Sequence, residues 1–218
     1  MNKKAFIFDL DGVIVDTAKY HYLAWKKLAN DLGFQFTKEQ NEMFKGVSRK
    51  RCLEILLDIG NVQATQDQFD KWMVEKNIDY LKYIDKMDES EILTDVIRIL
   101  DFLKTNKQPI ALGSASKNAK PILDKVRLLS YFNAIVDGNN VTRAKPNPEV
   151  FLIAAKQLGV NADNCLVFED AVAGIQAANN ANMTSIGIGN KQVLHEAKHV
   201  FNDFTEIDNE FLMEFIKS

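Results

Sequence analysis

Cysteine is nearly absent: Cys52 and Cys165 are the only two in 218 residues. They stand far apart and in no metal-like spacing. That excludes a disulfide-stapled scaffold and a cysteine-based zinc site, and makes a reduced, intracellular chain the expectation. An excess of one charge is also missing. Lys and Arg number 27 against 30 Asp and Glu, a net charge of −3. Nothing here pulls the whole chain toward nucleic acid or an anionic membrane, and neither is expected as a partner. The longest hydrophobic run, residues 150–155, falls far short of the roughly 20 residues of a membrane helix. The apolar stretch at residues 5–8 stops at Asp9 and is too short for a signal-peptide core. A cytoplasmic protein is expected. Repeats, low-complexity tracts and long linkers are lacking too.

What remains is ordinary globular composition, 46% hydrophobic and 26% charged. A chain of this length buries roughly 70% of the surface its unfolded form exposes. It makes one large domain, or a core with a smaller insert. Short apolar runs at residues 5–8, 109–112, 134–136, 165–168 and 185–188 read as strands covered on both faces. Helical spacing lies between them, as in Val96, Ile99, Leu100 and Leu103, and in Phe151, Ala154, Ala155 and Leu158. This alternation predicts a Rossmann-like α/β fold with a parallel sheet. Residues 17–86 break the rhythm with helical patterns alone. One helix carries Trp25, Leu28 and Leu32 and ends near Gly33. A second runs over 49–59, closed by Gly60, and a third over 66–84. The expected organisation is a core of 1–16 and 87–218 with an inserted α-helical cap at 17–86.

Four constellations follow predicted strands. Asp9 and Asp11 stand one residue apart after the first, with Gly12 to turn the chain. Ligands of open α/β sheets bind beyond such strand ends. Paired carboxylates there suit Mg²⁺, and a carboxylate also serves as a nucleophile; a polar turn capping the next helix is the bland alternative. Ser114, Ala115, Ser116, Lys117 and Asn118 follow the second strand. They read either as an anion-binding turn or, through Asn118, as a plain helix cap. Lys145 lies in a loop fixed by Pro146 and Pro148 and is a candidate phosphate partner. Glu169 and Asp170 follow the fourth strand, as metal ligands or as acids favoured at a helix start.

Together these four resemble the haloacid dehalogenase superfamily of aspartate-nucleophile phosphotransferases, over nearly the whole chain. The run from Asp9 to Ile14, then Asp16-Thr17, His21 and Ala24-Trp25, looks like the β-phosphoglucomutase branch and its sugar-phosphatase relatives. Lys45, Gly46, Val47, Ser48 and Arg49 are similar to that branch's cap loop, and Lys76-Asn77 match as well. Cys52 departs from it, where a small hydroxyl residue is expected.

The resemblance implies an isomerase that interconverts β-D-glucose 1-phosphate and D-glucose 6-phosphate, through an aspartyl-phosphate and a β-glucose 1,6-bisphosphate. The alternative it carries is a Mg²⁺-dependent sugar-phosphate phosphatase. Asp9 would be the nucleophile and Asp11 the general acid and base. Mg²⁺ would be held by Asp9, the Asp11 carbonyl and Asp170, with Glu169 supporting. Ser114 and Lys145 would hold the transferring phosphoryl group and Arg49 the distal phosphate. Thr17, His21, Trp25, residues 45–48, Lys76 and residues 115–118 would line the sugar site or the closing interface. Small sugar phosphates are the expected partners of a monomer. On residue type alone, His21 reads as a satisfied helix histidine, Trp25 as core, Arg49 as helix decoration and Lys76, beside Glu75, as a solvated charge. A catalytically silent binding protein on the same fold would have lost some of Asp9, Asp11, Lys145 and Asp170, and all four are present.

Overall fold

The computed structural model describes residues 3–218. Strands β1 (Ala5–Phe8), β2 (Ile110–Gly113), β3 (Ala134–Val136), β4 (Cys165–Glu169), β5 (Thr184–Ile188) and β6 (His199–Phe201) form one sheet. All neighbours are parallel and the order is β3-β2-β1-β4-β5-β6. The five strands read from sequence are found. Pro109 stays just outside β2, where its carbonyl accepts from the Phe6 N–H at 3.0 Å. The sixth strand is an addition: it is short, sits at the sheet edge and is only partly covered, so no apolar run announces it.

Side chains alternate between the two faces of a strand. Phe6 and Phe8 pack with Leu112, Leu166, Phe168 and Ile186 on one face. Ala5 and Ile7 pack with Ala111, Val136, Cys165 and Val167 on the other. Each fully buried side chain of this size contributes about 1.5–3 kcal/mol, so the sheet is a rigid platform for whatever stands at its strand ends.

Between β1 and β2 lie α1 (Ala18–Asp31), α2 (Lys38–Asn41), α3 (Arg49–Gly60) and α4 (Gln66–Ile84). The bounds of α4 are those expected, and its start is a reciprocal cap: Gln68 N–H donates to Thr65 Oγ1 and Thr65 N–H to Gln68 Oε1. One helix end is corrected. Gly60 lies inside the last turn of α3, and Asn61, at φ +50°, takes the left-handed position that closes it. Gly60 is instead needed for packing, since a Cβ there would come within 2.3 Å of Phe34.

The helical insert has a core of its own, built on Trp25, Leu28, Phe36, Phe44, Leu53 and Leu56. Its base runs into the sheet core through Ala24, Tyr80 and Ile84. The two connecting segments pair where they cross: Leu93 N–H donates to Ile14 O at 3.0 Å and Asp16 N–H to Glu91 O at 2.9 Å.

Helices α5 (Val96–Thr105), α6 (Ala119–Lys125) and α9 (Asn209–Lys217) cover one face of the sheet. The other is covered by α7 (Glu149–Leu158) and α8 (Val172–Asn180). Every residue of the two helical stripes read from sequence is buried. Both cysteines are free and buried. Among the described residues, no helix is long and apolar enough to cross a membrane.

Candidate active site

The ends of β1, β2 and β4 and the loop after β3 open onto one cavity of about 390 Å³, roofed by the insert. Asp9, Asp11, Ser114, Lys145 and Asp170 line its floor; His21, Trp25, residues 45–49 and Lys76 line its roof; Ala115, Ser116 and Lys117 close one side. Three further residues named from sequence stand behind the wall. These are Thr17, Glu169 and Asn118, and each holds a lining residue or joins core to insert.

Asp9 leaves β1 with its N–H on Phe168 O, at 3.0 Å. Its Oδ1 accepts from Lys145 Nζ at 2.6 Å and its Oδ2 from the Asp11 N–H at 3.1 Å. Lys145 also donates to Gly113 O at 3.0 Å and to Glu169 Oε1 at 2.5 Å. Burial opposes its charge, but the Asp9 and Glu169 carboxylates outweigh burial and raise its pKa. Glu169 is fully buried, and its second oxygen accepts from the Ala171 N–H at 3.0 Å. The acids read as possible helix-start decoration therefore sit at the strand end, ahead of α8, with Glu169 aimed at Lys145. The Lys145–Pro146 peptide is cis.

Asp11 points the other way, toward the insert. Its Oδ1 accepts from the Thr17 hydroxyl and faces His21 Nε2 at 4.0 Å. Burial, with the Asp9 charge behind it, pushes the Asp11 carboxyl up to about 6. A carboxyl shifted in this direction suits a general acid and base. Thr17 occupies the N-cap position of α1 yet caps nothing, because its hydroxyl is spent on Asp11.

Asp9, Glu169 and Asp170 each bring one carboxylate oxygen within 4.8 Å of the others. Burial first, then the Glu169 and Asp9 charges, push Asp170 well above the usual carboxylate range. The donor set is hard oxygen and the buried charge is in negative excess, so the residues fit a divalent cation such as Mg²⁺. Gly12, at φ +81°, keeps the ground clear: a Cβ there would lie 2.2 Å from Asp170 Oδ2.

The turn after β2 is self-braced. Ser114 Oγ accepts from the Ser116 N–H at 3.0 Å and Ser116 Oγ from the Asn118 N–H at 3.2 Å. Asn118 precedes α6 without capping it by its side chain, against the plain-cap reading. Its amide donates to Asn77 Oδ1 at 3.0 Å, a bond from core to insert.

Lys76 is no solvated charge: it is 2% exposed. Its Nζ lies 2.9 Å from His21 Nδ1 and sits over the rings of Trp25 and Tyr80, 4.6 and 4.7 Å from their centroids. Burial, with Arg49 nearby, lowers its pKa to about 7. His21 stacks on Tyr80 and is held well below its ordinary value by burial and by Lys76. Trp25 serves both readings, packing in the insert core and lining the cavity. Ser48 lines the cavity and caps α3, accepting from the Arg51 N–H at 3.4 Å. Arg49 lines the roof and has no ion-pair partner among the described residues. Gly46, at φ +69°, lets this loop approach the acid loop; a Cβ would lie 2.7 Å from that of Ala171. Cys52, also in the roof, turns its Sγ toward Phe44 O and Val47 O, and burial pushes its thiol up to about 12.

Sequence reasoning passed over Tyr80, Asn41 and Arg143. Tyr80 was open to discovery, because it stands four residues after Lys76 and shares its helix face. Asn41 and Arg143 lie outside any periodic pattern, and only the cavity brings them in.

The family model of haloacid dehalogenase-like hydrolases matches residues 6–188. The chain belongs to that family. It is 39% identical to a β-phosphoglucomutase of Bacillus subtilis, over 97% of this chain and 94% of the relative. It superposes on the crystal structure of a β-phosphoglucomutase from Clostridium difficile with a TM-score of 0.93 and 40% identity, covering 99% of this chain and 97% of that one. A fructose-1-phosphate phosphatase of Escherichia coli is 30% identical over 84% of this chain and 94% of its own length.

Proposed function

We propose that this chain is an isomerase that interconverts β-D-glucose 1-phosphate and D-glucose 6-phosphate. One observation carries the choice. The cavity that holds Asp9 and Asp11 on its floor presents an unpaired guanidinium, Arg49, on its roof. A planar guanidinium is the side chain best matched to a phosphate. A cavity lined by a phosphoryl acceptor from the sheet and a phosphate anchor from the insert suits a sugar carrying two phosphates. The similarity to two β-phosphoglucomutases over nearly the whole chain supports the same reading.

The chemistry starts at Asp9. The aspartyl-phosphate gives its phosphoryl group to the C6 hydroxyl of β-glucose 1-phosphate, while Asp11 takes that hydroxyl's proton, and the 1,6-bisphosphate forms. A carboxylate oxygen of Asp9 then attacks the C1 phosphorus of the bisphosphate, the bond from phosphorus to the C1 oxygen breaks, that oxygen takes the proton from Asp11, and glucose 6-phosphate leaves the rephosphorylated Asp9. β-Glucose 1,6-bisphosphate links the two halves, and either phosphate can face Asp9 while Arg49 holds the other. Lys145 keeps its positive charge beside Asp9 through both halves, and Ser114 completes the phosphoryl cradle. Asp9, Asp170 and the Asp11 carbonyl would hold Mg²⁺, with Glu169 steadying Lys145 behind them; when bound, Mg²⁺ supplies charge neutralisation at the transferring group. Residues 17–86 act as a cap whose closure excludes water from the aspartyl-phosphate.

The test is a paired assay with β-glucose 1-phosphate, Mg²⁺ and a trace of the 1,6-bisphosphate. Glucose 6-phosphate far in excess of inorganic phosphate is the expected result. Inorganic phosphate equal to or above it makes the chain a sugar-phosphate phosphatase with the same site.

A further inference from the structure

The charge around the cavity runs against that of the whole chain. The protein carries a net −3, yet seven Lys and Arg side chains line the cavity against three Asp. The mechanism absorbs Lys145 at Asp9 and Arg49 at the second phosphate. Lys76 is spent beside His21, Lys117 stands in the turn after β2, and Lys45 pairs with Glu42 at 2.9 Å. Arg143, from the core, and Lys50, from the insert, are left over. Both border the cavity and both are exposed, so they stand at its mouth.

Arg143 lies in the loop between β3 and α7 that also carries Lys145. One carboxylate pins that loop. Glu149 accepts from the Thr142 N–H at 3.1 Å, the Thr142 hydroxyl at 3.0 Å and the Arg143 N–H at 2.7 Å. The Arg143 guanidinium is 3.9 Å from the same carboxylate, beyond hydrogen-bond reach, and its side chain is 71% exposed. The backbone is fixed while the charge stays open to an incoming anion. A cleft lined by one sign of charge between low-dielectric walls concentrates ligand of the other sign. The Coulomb energy grows in proportion to the ligand's charge. Each phosphate monoester carries up to about two negative charges near neutral pH, so a bisphosphate carries twice the charge of a monophosphate. Any factor that a mouth cation gives to the monophosphate is therefore roughly squared for the bisphosphate.

We propose that Arg143, aided by Lys50 on the insert side, is a capture residue whose charge draws phosphate esters to the cavity mouth and favours the bisphosphate over the monophosphates. The assignment rests on the proposed function for the identity of these ligands. A priming bisphosphate present in trace must compete with monophosphates in excess for one cavity. Charge is the property that separates them.

The test sets wild type beside Arg143→Gln, Arg143→Lys and Lys156→Gln, each at about 20 and about 300 mM salt, where screening is weak and strong. Lys156 is exposed on α7 and outside the cavity, so its loss changes the net charge by the same amount elsewhere. At low salt Arg143→Gln should lower kcat/KM for β-glucose 1-phosphate about threefold and raise the half-activating concentration of the 1,6-bisphosphate about tenfold, with kcat unchanged. At high salt both effects should shrink to less than about twofold. Arg143→Lys and Lys156→Gln should stay near wild type at both. No effect of Arg143→Gln, an equal effect on the two esters, or an effect that persists at high salt overturns the assignment. So does an Arg143→Lys variant as poor as Arg143→Gln, because a fixed contact and not the charge would then be at work. Wild type that hydrolyses rather than isomerises defeats the mutase reading alone, and Arg143 is then judged by kcat/KM for hydrolysis of the same two esters. If wild type turns over neither, titrated thermal shifts by the two esters give the same comparison, and a wild type that binds the bisphosphate no better than the monophosphate overturns Arg143 as well.

Discussion

Lys145 Nζ lies 2.6 Å from Asp9 Oδ1, with both side chains almost wholly buried. The same nitrogen reaches Glu169 at 2.5 Å. Removing one partner of a buried ion pair leaves uncompensated charge and costs about 3–5 kcal/mol. Lys145→Met should therefore melt well below wild type. It should also lose about 10²–10³-fold in kcat, the usual effect of deleting one donor aimed at developing negative charge. A variant that folds and retains kcat within tenfold would remove Lys145 from the chemistry.

Asp11 is predicted to matter only where a proton must move. Asp11→Asn should reduce turnover of β-glucose 1-phosphate by about 10²–10⁴-fold. Phosphorylation of Asp9 by acetyl phosphate, whose leaving group needs no proton, should survive. Intact-mass spectrometry reads the phosphoenzyme directly. Equal loss with both donors would point to damaged geometry instead.

Lys76 gives a pH dependence of stability with a definite sign. Folding lowers its pKa from the ordinary 10.5 to about 7. Between those values the unfolded chain binds the additional proton, so raising the pH favours the folded state. The gain begins above about pH 7 and is complete above the unfolded value. Comparing melting temperatures between pH 7 and 9.5, wild type should gain on Lys76→Met as the pH rises. Parallel curves would mean that Lys76 stays charged in the fold.

Gly12 tests the cation site without touching a carboxylate. A Cβ at this position would stand 2.2 Å from Asp170 Oδ2, and the residue holds φ +81°. Gly12→Ala must displace Asp170 and adds about 1–2 kcal/mol of backbone strain. The Mg²⁺ concentration for half-maximal activity should rise at least about tenfold, and chelation should abolish wild-type turnover. Unchanged Mg²⁺ dependence in the variant would take Asp170 out of the cation site.

Much of the framework was legible because it is periodic. Continuous apolar runs marked β1 to β5, and helical spacing marked the buried stripes of α5 and α7. The short, partly exposed β6 carries neither signal. Gly60 was misread because a glycine near a helix end suggests a cap, whereas here Asn61 adopts the left-handed turn and Gly60 makes room for Phe34. In the site, acids and a serine directly after buried strands were readable, since strand ends define where ligands meet such a sheet. Lys76 was not readable from local sequence, because Glu75 beside it suggests a solvated pair. Its burial arises from the packing of α4 against α1, and Arg143 likewise acquires meaning only from the cavity wall.

Asp9 at the end of β1 and Arg49 at the start of α3, both lining one cavity, are the centre of the account. The most direct measurement is the ratio of glucose 6-phosphate to inorganic phosphate formed from β-glucose 1-phosphate, taken for wild type beside Arg49→Ala. Wild type should isomerise far faster than it hydrolyses. Arg49→Ala should lose the anchor for the second phosphate and shift its ratio toward inorganic phosphate. Hydrolysis dominating in wild type, or a ratio untouched by the substitution, would contradict it.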